Sequence, residues 1–338
     1  LVDPYPPELF DPDYLIENWV GFDEGRYQDD QGRVRYLPYG SMAALLFVNT
    51  DLWAAAGLTD ADVPTTWDAT LEVAKKLTQY DDAGLINVAG FGFNTALTSM
   101  FFDMFYQLGD YEYAADGQSC LINTPNKLTA LDTLTRFYEE NVTSLDFPGL
   151  TEAFGGGQIA MTYGWTWYAS YLKANFPDLN WTTYLLPTFT GEAEPAVGRT
   201  NPDVTSVIPT TTAPERKEVA WDFLHWLYSQ DDVIIDLALV HSVAPSYKLV
   251  YDNPRVLENR EAYLLTQRGD YTVYAGDYPA AVEDAIYQNV EGNVMAGGVP
   301  NQEALDMAQD ACNAALREQS YWIVEREYKH DDLMNHDM

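Results

Sequence analysis

Several segments of the chain place apolar residues at helical spacing behind a recognisable start signal. After Thr124-Pro125, for example, Leu128, Leu131 and Leu134 recur every three residues, and a proline behind a capping residue is typical of a first helical turn. On these grounds helices are predicted over residues 13–21, 67–77, 98–108, 125–141, 214–227, 231–240, 279–294 and 301–318. The tract 254–277 lacks such spacing, and we predict it to be irregular.

Short apolar runs between these segments predict strands. One of them, Met42 to Val48, is apolar at every position, which is typical of a strand covered on both faces. Further strands are predicted at residues 90–93, 159–161, 181–185 and 204–208. Strands that alternate with helices predict an α/β protein with a mostly parallel sheet.

The segment 154–171, with the sequence FGGGQIAMTYGWTWYASY, brings several aromatic residues together. Its three glycines lead into the apolar run Ile159-Ala160-Met161, and Gly164 breaks the pattern just before Trp165 and Trp167. An indole at the exit of a strand presents a flat apolar face, which suits the C–H face of a sugar ring. Packing in the core is the alternative interpretation, because large aromatic residues are commonly buried.

The composition limits the partners that the chain can have. The chain has 338 residues, of which 47% are hydrophobic and 21% charged, so it can bury a large core, and its length favours two domains. Its 52 acidic and 18 basic residues give a net charge of −34. Such a surface repels phosphate groups. Nucleic acid and anionic membrane surfaces are therefore poor partners, and a neutral ligand is favoured.

Motifs that carry catalysis or bind metal are sparse. The sequence has no Gly-x-Ser-x-Gly, Walker or His-Glu-x-x-His pattern, so it gives no support for a cofactor or a catalytic metal. Two alternatives stay open. One is a metal site in the tail, at His330, Asp331, Asp332 and His336; the other is a pair of catalytic carboxylates that only the fold brings together.

The two cysteines, Cys120 and Cys312, stand at no metal-like spacing. Cys312 lies on an apolar helical stripe with Leu305 and Ala308. We therefore favour a buried thiol over a disulfide, without excluding the latter.

Six local patterns, in the same order along the chain, resemble the family-1 extracellular solute-binding proteins of ABC importers, the maltose-binding-protein-like carbohydrate binders. Each pattern alone is weak, and their shared order over residues 37–315 carries the resemblance. In chain order they are Leu37-Pro38-Tyr39-Gly40, the run Leu46 to Trp53, Pro64-Thr65-Thr66-Trp67-Asp68, the run Phe154 to Met161 with Gly164-Trp165-Thr166-Trp167, Ala220-Trp221-Asp222-Phe223-Leu224, and Val243-Ala244-Pro245.

The resemblance implies a periplasmic-binding-protein-like α/β fold, with two α/β lobes, a hinge and an interlobe cleft. It implies that the family's first strands and helices precede Leu1, so the first lobe is expected to be incomplete in this chain. The implied organisation is residues 1–45 as the remainder of the N-terminal lobe and hinge entry, 46–195 as the C-terminal lobe, 196–248 as a return to the N-terminal lobe, and 249–338 as C-terminal lobe helices and tail.

The resemblance also implies a function without catalysis or cofactor. A monomeric protein outside the cytoplasm, in the periplasm or at the cell surface, would capture a neutral mono- or oligosaccharide and deliver it to an ABC permease. A lipid anchor before Leu1 is compatible with this reading. A glycosidase, and an adaptor that uses the same fold without a small ligand, are the alternatives. The ligand-binding residues that we expect are Trp165, Trp167, Tyr39, Ser41, Arg199, Asn201, Ser246, Tyr274 and Tyr278.

Overall fold

The computed structural model describes residues 2–22, 27–29, 31–93, 97–114, 119–193, 196–267, 271–273 and 280–318. Its helices are α1 (Pro12–Asn18), α2 (Thr50–Ala55), α3 (Trp67–Leu77), α4 (Leu97–Gln107), α5 (Pro125–Glu139), α6 (Leu150–Gly155), α7 (Trp167–Asn175), α8 (Pro214–Tyr228), α9 (Asp231–Val240), α10 (Pro254–Glu258), α11 (Arg260–Thr266), α12 (Ala280–Tyr287) and α13 (Asn301–Glu318). A π-helical segment, Gln288–Ala296, continues α12. Its strands are β1 (Leu37–Asn49), β2 (Gln79–Tyr80), β3 (Ile86–Phe93), β4 (Ile159–Trp165), β5 (Trp181–Tyr184), β6 (Gly198–Ser206), β7 (Ala244–Pro245) and β8 (Thr272–Val273).

The chain divides into two compact units. Unit 1 comprises residues 1–43, 166–171 and 200–270, and unit 2 comprises residues 44–165, 172–199 and 271–338. The strands β1 and β6 each contribute residues to both units. The correspondence between these units and the two lobes of the family stays a prediction.

Unit 1 is built around the first half of β1. The second half of β6 pairs with it antiparallel, with Ala43 opposite Thr200, and β7 pairs with it antiparallel, with Ser41 opposite Ala244. The helices α1, α8 and α9 pack apolar residues into one core cluster in this unit. Its most deeply buried members include Trp19, Phe22, Leu37, Ile234, Ile235 and Val256.

Unit 2 is built around the second half of β1. In it β4 and β5 both pair antiparallel with β1, because Leu46 lies opposite Tyr163 on one side and Tyr184 on the other. The strand β3 pairs parallel with β4, and β2 pairs with β3. The largest core cluster lies here, with residues of α3, α4, α5 and α13 packed together. Leu131 and Leu134, on the predicted apolar stripe of α5, are fully buried in it.

The prediction of a mostly parallel sheet is wrong. Among the described strands, β1 runs antiparallel to β4, β5, β6 and β7, and parallel pairing is restricted to β3 with β4 and β6 with β8. The apolar run 42–48 is buried at every position, as predicted. An apolar run predicts that a strand is covered on both faces. It does not predict whether the neighbouring strands run parallel or antiparallel to it.

Strong start signals located the helices well. Thr66 and Thr124 cap α3 and α5, each accepting a hydrogen bond from a backbone N–H of the first turn at 3.2 Å, as their sequence context indicated. The prediction of an irregular tract at 254–277 is wrong, because α10 and α11 lie there. These helices have five and seven residues, too few for a helical repeat to be recognised.

Both cysteines are buried free thiols in unit 2, as the sequence favoured. The Cys120 thiol lies within hydrogen-bonding reach of Cys312, and this contact together with burial raises the pKa of Cys120. A thiol reacts as its thiolate, so both raised pKa and burial suppress reactivity.

We expect the native protein to be inert to Ellman's reagent. Two thiols per chain should become reactive after unfolding in guanidinium without reductant, because the reagent then reaches both sulfurs. Fast labelling of the native protein would contradict the burial, and fewer than two thiols after unfolding would mean that the cysteines are oxidised. Pre-reduced protein serves as the control.

Candidate ligand-binding site

The segment that sequence analysis singled out brings Trp165 to the end of a strand. Gly157 turns the chain from α6 into β4 with φ of 75°, a conformation that glycine adopts without strain. The strand β4 is buried from Ile159 to Gly164, and Trp165, its last residue, is partly buried against the core of unit 2. Its indole N–H donates a hydrogen bond to Oγ of Ser99, at 3.1 Å. The ring is therefore held in one orientation.

Arg199 lies against the same ring. Its guanidinium carbon is 5.6 Å from the ring centroid of Trp165 and 4.7 Å from that of Phe102, within the range of a cation–π contact. Its Nη2 donates to both the carbonyl oxygen and Oγ of Ser99, at 2.9 Å each. Ser99 thus accepts hydrogen bonds from Trp165 and from Arg199, and it links the two side chains.

Asp103 anchors Arg199 from the interior. The Asp103 side chain is fully buried on α4, and its Oδ1 accepts a hydrogen bond from the backbone N–H of Arg199 at 2.6 Å. The same oxygen lies 3.4 Å from Nε of Arg199, whose side chain is 12% exposed. The hydroxyl of Tyr163 donates to Oδ2. A buried charge needs such partners, so Asp103 and Arg199 hold each other in place.

The ionisation of these groups follows from their burial. Burial raises the pKa of the Asp103 carboxyl, while the charge of Arg199 and the hydrogen bonds donated by Tyr163 and Arg199 act in the opposite direction. Burial and the neighbouring carboxylate raise the pKa of Tyr163 well above its usual value. The phenol therefore stays protonated and remains a donor. We call Trp165, Arg199, Ser99, Asp103 and Tyr163 the Trp165 cluster.

Trp167, the second candidate indole, belongs to unit 1 as the first residue of α7. Its side chain is 39% exposed, and its ring meets Tyr168 edge-on with centroids 6.0 Å apart. Tyr168 in turn is stacked on Tyr171. The two tryptophans are thus placed in different units.

Four other predicted residues belong to unit 1, three of them on paired strands and one directly after a strand. Tyr39 and Ser41 are partly exposed positions of β1 separated by buried Gly40, so they share one face of the strand. Asn201 lies on β6 opposite Met42. Ser246 follows β7, is fully buried, and its hydroxyl has no hydrogen-bond partner among the described residues.

Tyr39 is the ionisable member of this group. Burial raises the pKa of its phenol, and its ring centroid is 6.1 Å from that of His241. Its carbonyl oxygen accepts a hydrogen bond from the backbone N–H of Ser246, at 3.1 Å. The chain after β7 is therefore tied directly to the predicted contact residues of β1. The remaining candidates, Tyr274 and Tyr278, and the tail group around His330, lie outside the described residues.

Sequence reasoning missed Ser99, Phe102, Asp103 and Tyr163. One signal was present, because Asp103 is the one charged residue of α4, whose sequence is LTSMFFDMFYQ. An acid in an apolar helix requires a buried partner. The acid in α4 therefore indicates a nearby cation, but the sequence does not identify that cation.

The described ranges contain neither a metal-binding cluster of side chains nor a membrane-spanning helix. No group of three or more His, Cys, Asp or Glu residues there is arranged to hold a metal ion. None of the helices in this part of the chain combines the length and hydropathy that a membrane span requires.

The fold has many relatives among solved structures. A solute-binding protein of an ABC transporter from Thermotoga lettingae, bound with α-D-tagatose, matches with a TM-score of 0.75 and 20% identity, over 93% of this chain and 80% of that chain. The maltose/maltodextrin-binding domain from Bdellovibrio bacteriovorus, bound to maltotriose, matches with a TM-score of 0.73 and 19% identity, over 94% of this chain and 80% of that chain. The cyclic α-maltosyl-1,6-maltose binding protein from Arthrobacter globiformis matches with a TM-score of 0.72 and 20% identity, over 94% of this chain and 81% of that chain. These likenesses confirm the predicted periplasmic-binding-protein-like α/β fold class.

Sequence comparison gives the family. No curated protein matches the chain significantly, but the family model described as bacterial extracellular solute-binding protein matches residues 2–234. This match spans well over half of the 338 residues, and the chain therefore belongs to the family of bacterial extracellular solute-binding proteins.

Proposed function

We propose that the protein captures a neutral mono- or oligosaccharide outside the cytoplasm and delivers it, chemically unchanged, to the membrane subunits of an ABC importer. Family membership supports the extracellular, solute-binding role. The neighbours in fold were solved with tagatose, with maltotriose, or as a binder of a cyclic maltosyl-maltose. The net charge of −34 favours a ligand without negative charge.

The observation that carries the sugar proposal is the fixed indole of Trp165. Stacking on a sugar ring contributes most to affinity when the aromatic side chain loses little conformational freedom on binding. Trp165 meets that condition, because the hydrogen bond to Ser99 and the contact with Arg199 restrain it. We assign Trp165 the role of stacking platform, and Arg199 and Asp103 the role of positioning it.

Hydroxyl recognition falls to polar side chains. Tyr39, Ser41, Asn201 and Ser246 are our candidates, and Ser246 has a buried hydroxyl that lacks a partner among the described residues. A buried hydroxyl left without a partner is costly. A ligand hydroxyl that fills this role would be favoured over an analogue without it.

Calorimetric titration with tagatose, maltose and maltotriose tests the proposal. We expect saturable heat with one site per chain for at least one sugar, and chromatography afterwards should recover that sugar intact. Sodium gluconate serves as the anionic control and should give no heat. Cleavage of the sugar would indicate a glycosidase instead of a transport protein. The absence of heat with all three sugars would favour an adaptor that binds no small ligand.

A further inference from the structure

Unit 1 contains a cavity whose lining residues are different from those proposed above to bind sugar. Its volume is about 270 Å³, and it is bounded by α1 with the turn before it, the end of α8, the start of α9 and Tyr247. Pockets for drug-sized ligands usually begin at about 300 Å³. This cavity is therefore sized for a small molecule.

Five of the twelve residues that line the cavity are Phe, Tyr or Trp. Trp19 and Tyr247 are stacked with their centroids 4.3 Å apart, and Trp19 meets Tyr228 edge-on at 6.3 Å. Phe10 meets Tyr228 edge-on at 6.4 Å. These four side chains are each at most 7% exposed. Tyr14, which is 45% exposed, adds a fifth ring at the mouth.

The polar atoms of these rings already have protein partners. The indole N–H of Trp19 donates to the carbonyl oxygen of Pro38 at 2.9 Å, and the Tyr228 hydroxyl donates to the carbonyl oxygen of Leu37. The hydroxyls of Tyr14 and Tyr247 bond to each other at 2.6 Å. A sugar in this cavity would find ring faces but few hydroxyl partners in the wall, so a carbohydrate is a poor fit.

The charged groups at the rim are acidic. Asp11 and Asp231 both line the cavity, and none of the lining residues is a lysine or arginine. His225 is the one basic side chain among them. Burial raises the pKa of the Tyr247 phenol, and its hydrogen bond with Tyr14 and the charge of Asp231 raise it further. Asp231 and Tyr247 line the same cavity.

We propose that the cavity binds a small organic cation, an alkylated ammonium of the quaternary type. Ring faces attract a cation that carries little hydration, and carboxylates at the mouth complete its neutralisation. The strongly negative chain, at −34, raises the local concentration of such ligands. An anion is repelled by the same groups. This inference is independent of the sugar proposal.

Titration of the whole chain with choline chloride tests the inference. The matched control ligand is 3,3-dimethylbutan-1-ol, which has the same shape and no charge. We expect saturable choline binding by calorimetry, and binding of the neutral control that is roughly tenfold weaker or more. Equal binding of both ligands would show that the cavity binds by apolar contact alone and does not recognise the charge, which would contradict the inference. The absence of saturable choline binding would also overturn it.

Exposed residues supply variants that leave the fold intact. Asp231→Asn should weaken choline binding several-fold, whereas Asp232→Asn, its neighbour outside the lining, should not. Tyr14→Leu removes a ring and should weaken binding, while Tyr14→Phe keeps the ring and should preserve it. Choline affinity that is unaffected by both Asp231→Asn and Tyr14→Leu would place the cation elsewhere and refute the site.

Discussion

Replacing Arg199 by methionine should lower the free energy of unfolding by about 3–5 kcal/mol, the usual consequence of leaving one partner of a buried ion pair alone. Asp103 is fully buried, and it loses a guanidinium that lies 3.4 Å away. Denaturant titration should show this as a lower midpoint with little change in slope. Loss of the guanidinium also raises the Asp103 pKa further. The deficit should therefore shrink as the pH falls toward that pKa, where the carboxyl is protonated in the folded state, and grow as the pH rises.

A matched control separates burial from charge. Arg136 forms an equally direct ion pair with Asp68, at 2.6 Å, but the two side chains are 40% and 78% exposed. Arg136→Met should therefore move the midpoint little. Combining Arg199→Met with Asp103→Asn should recover most of the loss, since the amide oxygen can still accept from the backbone N–H of residue 199 and the amide NH2 can donate to the Tyr163 hydroxyl, with no charge left buried. If Arg199→Met were as mild as Arg136→Met, Asp103 would not depend on this arginine.

The ion pair between Asp103 and Arg199 shows which part of the candidate site the sequence could not predict. Arg199 was predicted as a ligand-binding residue, and the structure shows its guanidinium bound to Asp103 and Ser99. A contact of Arg199 with the sugar stays a prediction. Asp103 stood out as an acid on an apolar helix. Its partner lies 96 residues away, and no local pattern connects positions so far apart.

The same contrast runs through the fold. Elements with a long apolar stripe were located closely, as with α9 and α13, whose ends coincide with the predicted 231–240 and 301–318. Short elements such as α10 and β7 carry too few residues to display a period. Strand direction depends on which distant segment supplies the neighbour, so the antiparallel partners of β1 were beyond what its apolar run contains.

The sequence also left the choice between Trp165 and Trp167 open. Both follow Gly164 at the end of β4, and their flanking residues do not distinguish them. What distinguishes them is tertiary contact: Ser99, on α4, accepts the hydrogen bond of the Trp165 indole, and Arg199, on β6, covers its ring. Such restraints are set by packing, and only coordinates reveal them.

Trp165→Ala should weaken sugar binding by about 1–3 kcal/mol, which is roughly fivefold to 150-fold in the dissociation constant. The variant removes the stacking face while Asp103 and Arg199 keep their ion pair, so the fold should persist. Trp165→Phe keeps an apolar ring but loses the N–H that donates to Ser99. Its affinity should fall between those of the wild type and Trp165→Ala. Calorimetric titration with the sugar that binds best measures all three.

Trp167→Ala is the internal comparison, because it removes an indole of the same size two residues away. Its ring is 39% exposed, and removing it should change affinity less than Trp165→Ala does. Ser99→Ala tests the restraint itself: a looser indole should bind the sugar more weakly even though the stacking face is intact. A loss of affinity confined to Trp167→Ala would identify Trp167, in unit 1, as the residue that stacks on the sugar. Unchanged affinity in both tryptophan variants would assign the two indoles to packing, and the stacking argument for a sugar ligand would fall with it.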